Sequence, residues 1–136
     1  MTTEMKVKRN KRLLLKTAKR IEKVPESYHQ GWWATKDPSA PCGTTACIAG
    51  ETLICSERKV SDGLNKLWRS LHNFTVSDQA ENLLGLTDYE SGIVFDGTAS
   101  RWPQPFHKQY HQAKTQRGQA NAAAALLRYL ADGGKL

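Results

Sequence analysis

Residues 119–131 read QANAAAALLRYLA. Ala120, Ala123, Ala124, Leu127, Leu130 and Ala131 recur at steps of three and four, the spacing that gathers side chains on one face of an α-helix. The alanine run at 122–125 favours helix and lets a neighbouring element approach closely. The glycine pair at 133–134 is a stop signal. This stretch fixes the period to look for elsewhere, and the same period recurs towards the N-terminus.

Leu14, Ala18 and Ile21 share a narrow arc of a helix that starts near Arg12, and Pro25 closes it near Lys23 or Val24. Leu64, Leu67, Trp68 and Leu71 make another apolar stripe, with Ser61 as its expected cap. Ala80, Leu83 and Leu84 are the inward positions of a helix that follows Asn73. Its end, LLGL at 83–86, predicts a left-handed Gly85 with Leu86 folding back. TDYE at 87–90 is a capping box that opens a short helix carrying Ile93, Val94 and Phe95. Residues 26–43, with Trp32 and Trp33, read as irregular chain. So do residues 96–110, where Gly97, Pro103 and Pro105 punctuate the anchors Trp102, Phe106 and Tyr110. No stretch alternates with the two-residue period of a strand. The expected fold is all-α: a compact single-domain bundle of five or six short helices with Trp/Pro-rich loops. Residues 1–10 read as a flexible basic N-terminal segment and 11–136 as a single helical domain.

PCGTTACIAG at 41–50 predicts a capped helix start, with Thr44 or Thr45 as N-cap and Ala46, Ala49, Gly50 and Leu53 as one stripe. Gly in a helix interior costs about 1 kcal/mol relative to Ala, so Gly50 implies a neighbouring backbone too close for a side chain.

The bulk numbers bound the class. A chain of 136 residues can bury a core without staples. No apolar run approaches the ~20 residues that span a bilayer, and the basic N-terminus lacks the apolar stretch of a signal peptide. Three cysteines, Cys42, Cys47 and Cys55, are an odd count that fits free thiols and a cytoplasmic location. The net charge of +7 sits in one place. Residues 1–24 hold nine Lys/Arg against two acids, and the remainder of the chain is balanced.

Three kinds of site follow. Arg9, Arg12, Lys16, Lys19, Arg20 and Lys23 fall opposite the apolar arc of the first helix, a cationic face for nucleic acid, a nucleoprotein or an acidic protein surface. The contrary reading is a solvated surface. Cys42, at a helix N-terminus, is a candidate nucleophile for a hydrolase or transferase, with His29 or His107 as base and Gln30 as a possible oxyanion donor. Against it stands a thiol packed under the tryptophan loop. Trp32, Trp33 and Trp102 are candidates to line a small-molecule sequestering pocket. His107 and His111, four apart, suit two ligands on a helical turn, but the cysteine spacings do not make a zinc knuckle, so no metal and no cofactor are expected. Phosphate-cradling glycine motifs are absent. The expected function is non-enzymatic binding or regulation through the basic helix.

The motif at 42–50, C-G-T-x-A-C-I-A-G, resembles that of a group of small uncharacterised bacterial and phage proteins. They share a preceding Trp-bearing loop, the LLGL segment, a Trp-Pro pair (here Trp102 and Pro103) and an Ala-rich C-terminal helix. The likeness covers about residues 13–131 and implies a bacterial or phage origin, with no activity attached. Where those proteins carry an aromatic residue after Ala-Gly, this chain has Glu51 and Thr52.

Overall fold

The structure of the protein is a computed structural model that describes residues 8–36 and 44–136. Helix α1 (Lys11–Lys23) is capped by Asn10, whose side chain accepts from the Leu13 amide at 3.0 Å. It buries Leu14, Ala18 and Ile21 completely, as their spacing requires. Burial of a Leu or Ile side chain stabilises by about 1.5–3 kcal/mol. A 3₁₀ turn at Pro25–Ser27 ends the helix and turns the chain.

Helix α2 (Ile48–Cys55) has all its residues buried. A helix without a solvent face belongs at the centre. Accordingly α1, α3 (Val60–His72) and α4 (Val76–Leu84) pack around it. Helix α5 (Asp88–Val94) starts on the capping box read from the sequence: the Thr87 hydroxyl accepts from the Glu90 amide at 3.1 Å, and the Glu90 carboxylate accepts from the Thr87 amide at 3.0 Å. Helix α7 (Gln116–Ala131), capped by Thr115, lies along α1. Its alanines have no bulk to hold the two helices apart. All six positions of the quoted stripe are buried in one continuous core.

Gly85 is left-handed, with φ of 70°, and Leu86 is buried behind it. At Gly50 a Cβ would lie 2.6 Å from the Ala46 Cβ and would overlap the Trp33 carbonyl oxygen. The close backbone neighbour that Gly50 implied is therefore the tryptophan loop.

Four expectations need correction. The described residues form seven α-helices, not five or six. The added one is α6 (Phe106–Gln112), expected as loop. It buries only Phe106, so it has no apolar stripe to read. It is held from outside, by Phe106 against Tyr129 and Tyr110 against Trp102, with ring centroids 5.2 Å and 5.1 Å apart.

Neither Thr44 nor Thr45 caps α2. They form strand β2 (Thr44–Thr45), antiparallel to β1 (Thr35–Lys36), with Thr45 opposite Thr35. Helix α2 begins after Cys47, whose side chain makes no capping bond. The extended start is set by distant backbone partners: the Ala46 amide donates to the Ser27 carbonyl at 2.8 Å, and the Cys47 amide donates to the Trp32 carbonyl at 2.7 Å. Similarly, α3 starts at Val60 with Lys59 as its uncapped flank, ahead of Ser61.

Residues 1–7 of the basic N-terminal segment lie outside the described residues. Nearer the helix the chain is tied down. The Asn10 amide donates to the Leu84 carbonyl at 2.7 Å, and its side-chain amide donates to the Leu83 carbonyl at 3.1 Å.

Candidate functional site

Arg12, Lys16, Lys19 and Lys23 follow one another around α1 at steps of three and four, so the helix stacks them along one outer face. All four are exposed. Like charges at this spacing oppose helix formation by a few tenths of a kcal/mol per pair, about 0.2–0.5. The single acid of α1, Glu22, does not relieve them, because it pairs with Arg128 of α7. Among the described residues no carboxylate pairs with these four cations.

The turn between α2 and α3 adds Arg58 to this face. A groove of about 310 Å³ runs between α1 and the turn, with Lys16, Lys19, Lys23 and Arg58 as walls and Val24 and Ile54 as apolar floor. It continues into a second groove of about 430 Å³, which Arg12, Lys16 and Arg58 border. The Lys16 ammonium donates to the Glu57 carbonyl at 3.1 Å and so holds α1 to the turn. A cationic rim over an apolar floor can take phosphates at the edge and apolar or planar groups within. The sequence carried a faint sign of Arg58, in the polar run Ser56-Glu57-Arg58-Lys59. Only the turn geometry places it beside α1.

Two of the six cations assigned to this face belong elsewhere. Arg9 precedes α1 and points into the fold. Its guanidinium donates to the carbonyls of Leu130 at 3.0 Å and Gly134 at 2.6 Å, and it pairs with Glu90. Capping the last carbonyls of α7 is a natural task for arginine. Burial works to raise the Glu90 pKa, but the bonds from Arg9 and from the capping box outweigh it and hold the carboxylate below its ordinary range. Arg20 reaches the other way, to a buried carboxylate that the sequence reading passed over. Glu51 is wholly buried in α2, accepts from Arg20 at 2.7 Å and accepts from the Ser27 hydroxyl at 2.9 Å. Its sequence signal was one acid inside the apolar run IAGETLIC.

Cys42 lies outside the described residues. The helix it was expected to open starts at Ile48, so the residue at the dipole is Cys47. Burial pushes the Cys47 thiol up to about 11 despite the helix amides beside it, and burial does the same to Cys55. Both are protonated structural thiols near neutral pH. His29 is exposed, and its Nδ1 accepts from the Gly31 amide at 3.2 Å. His107 sits on α6 with its ring 4.5 Å from that of His111 and its Nδ1 beside the Gln104 side chain. Gln30 is no free oxyanion donor. Its amide donates to the carbonyls of Val94 at 3.2 Å and Asp96 at 2.9 Å. Among the described residues no group of three or more His, Cys, Asp or Glu is placed to hold a metal ion.

The three tryptophans part company. Trp102 is buried, with its indole N–H donated to the Val94 carbonyl at 3.2 Å. Trp32 and Trp33 are exposed. Trp33 borders two small cavities, of about 120 and 150 Å³, that neither Trp32 nor Trp102 lines. None of these cavities among the described residues brings the three tryptophans together.

Comparison with family models, with curated proteins and with solved structures gives no match, so the functional reading rests on this geometry. No helix among the described residues is long and apolar enough to cross a membrane.

Proposed function

We propose that the protein is a non-enzymatic nucleic-acid-binding protein that engages phosphates through Arg12, Lys16, Lys19, Lys23 and Arg58. One observation carries the reading. Five cations from two separate elements line the same pair of grooves, and no carboxylate among the described residues pairs with them. A merely solvated surface is usually interspersed with acids that relieve such repulsion. Glu22 is directed towards α7 and Glu51 withdrawn into the core, while Glu57, which borders both grooves, has Lys66 as its carboxylate's partner at 3.6 Å.

Phosphate contact by lysine and arginine releases condensed counterions, so affinity falls with salt by about 0.9 logarithmic units per contact on duplex DNA. Binding of a duplex oligonucleotide across a salt series should give a slope of roughly −3 to −5 for this number of cations. Replacing Arg12, Lys16, Lys19 and Lys23 with Gln should weaken binding and bring the slope towards zero. Absence of binding to any nucleic acid at low salt, or an unchanged slope in the variant, would reject the reading. Retained binding to an acidic protein alone would reassign the face to a protein partner.

A further inference from the structure

Three helices of this protein end in the same way. At α4, the Leu86 amide donates to the Glu81 carbonyl at 3.1 Å and the Gly85 amide to the Asn82 carbonyl at 3.3 Å. At α7, the Gly134 amide donates to Tyr129 at 2.8 Å and the Gly133 amide to Leu130 at 3.1 Å. At α3, the Thr75 amide donates to Ser70 at 2.8 Å and the Phe74 amide to Leu71 at 3.2 Å. This paired closure requires one left-handed residue. It is Gly85 with φ of 70° and Gly133 with φ of 90° in the first two, but Phe74 with φ of 58° in the third.

A bulky side chain in that conformation is disfavoured by contact between its Cβ and the following carbonyl. Phe74 gains nothing in return from burial, because it is 94% exposed. The fold therefore bears a backbone penalty to hold an aromatic ring in water. Such an outlier points to a role outside the fold.

The surroundings give that role its chemistry. Phe74 and Trp33, with Leu71 and Val76, border the apolar cavity of about 120 Å³, and Trp32 beside it in sequence is 56% exposed. A groove of about 780 Å³ follows the outer side of α3 from Glu57, which also borders both basic grooves, to Asn73 next to Phe74. Trp68, Arg69, His72 and the amides of Asn65 and Asn73 line it. Lys36 stands 6.0 Å over the Trp68 ring. Its acids are Asp62 and Glu57, and Lys66 lies 3.6 Å from the Glu57 carboxylate. The thirteen residues of α3 span roughly 20 Å, so the groove is much longer than one nucleotide, with its acids Glu57 and Asp62 at one end and Trp68, Arg69 and His72 towards Phe74.

We infer that the ligand is single-stranded nucleic acid, whose backbone follows the basic face and the α3 groove while its bases stack on Phe74 and Trp33. The inference rests on the nucleic-acid reading of α1 and narrows it. Unpaired bases offer π-faces to aromatic side chains, whereas a duplex keeps those faces stacked inside. An exposed ring fixed beside exposed Trp33, at the end of a groove that starts from the basic face, suits the first and has no partner in the second.

The test uses the full chain with fluorescently labelled oligo-dT and a duplex of equal length, measured by anisotropy at low and moderate salt. Phe74→Gly places the residue of the other two closures at this one, so the fold is expected to persist, checked by thermal melting. It should lower oligo-dT affinity by roughly tenfold or more, in line with loss of one stacked base, and leave duplex affinity unchanged. Phe74→Tyr, which keeps a ring, should restore oligo-dT binding. Oligo-dT should also quench the exposed tryptophans in the wild type. If Phe74→Gly binds oligo-dT as the wild type does, while the α1 glutamine variant loses both ligands, the inference is overturned and the nucleic-acid reading stands. If the wild type binds neither ligand, both are overturned.

Discussion

The Arg20 Nε donates to a Glu51 carboxylate oxygen at 2.7 Å across the contact between α1 and α2, where Glu51 has no solvent exposure at all. Burial raises the Glu51 pKa to about 7, although Arg20 and the Ser27 hydroxyl both favour the charged form. The desolvation penalty thus exceeds the gain from the pair, as buried ion pairs often show. A folded pKa above the unfolded one means the folded chain holds the proton more tightly. The stabilisation is full below about pH 4.5 and is lost as pH rises through about 7. Chemical denaturation of the wild type should therefore show lower stability at pH 8 than at pH 5, by up to about 3 kcal/mol, and Glu51→Gln should remove most of that difference.

Breaking the same pair from its other side should be pH-dependent too. Arg20→Met leaves a buried carboxylate without its cation, which costs about 3–5 kcal/mol when the carboxylate is charged. The loss should be larger at pH 8 than at pH 5, where Glu51 can take up a proton. Equal destabilisation at the two pH values would show that packing of the arginine stem, and not charge, is what the substitution removes.

Gly50→Ala adds only a methyl group, yet that atom would meet the Trp33 carbonyl oxygen and the Ala46 Cβ. Ala46 is held by its amide's bond to the Ser27 carbonyl, and the chain next to Trp33 by the bond from the Cys47 amide to the Trp32 carbonyl, so neither gives way cheaply. Destabilisation of about 1–3 kcal/mol is expected in spite of alanine's better helix propensity. A melting temperature equal to the wild type would refute the close approach.

Cys47 and Cys55 are buried thiols whose pKa values are raised to about 11 by burial. In a Cys42→Ser variant, thiol labelling at pH 8 should be slow in the folded protein and should reach both remaining cysteines in denaturant. Rapid labelling of the folded variant would mean that one of them is accessible and ionisable.

Arg9 and the α1 cations should separate in the same pair of assays. Arg9→Met removes bonds to α7 and to Glu90 in a half-buried site, so it should cost about 1.5–3 kcal/mol of stability. It should leave the salt slope of nucleic-acid binding as it was. The glutamine substitutions at Lys19 and Lys23 should do the reverse, since these side chains project into solvent and carry little of the fold; at Lys16 the lost bond to the Glu57 carbonyl adds a small cost in stability.

The sequence by itself determined whatever depends on neighbours along the chain. The stripes of α1 and α7, the left-handed Gly85, the capping box of Thr87 and Glu90 and the crowding at Gly50 are short-range patterns, with partners three to five residues away or a cost visible at one position. The tertiary structure decided whatever depends on a distant partner. Thr44 and Thr45 carry hydroxyls suited to a cap, but Thr35 and Lys36 pair with them and draw them into a strand. Residues 106–112 lack an apolar stripe and become a helix because Tyr129 and Trp102 receive their rings. The first 24 residues announced a block of cations, but a charge does not reveal which way its side chain turns. Arg9 and Arg20 turn inward because carboxylates and helix-end carbonyls stand within reach, and Arg58 joins the outer face because a turn some 40 residues later folds back beside Lys16. Stripe periodicity and the Thr87–Glu90 capping box close within a few residues, which a sequence states directly. The partner of a long polar side chain is fixed by where the chain returns, and that is settled only when the core closes.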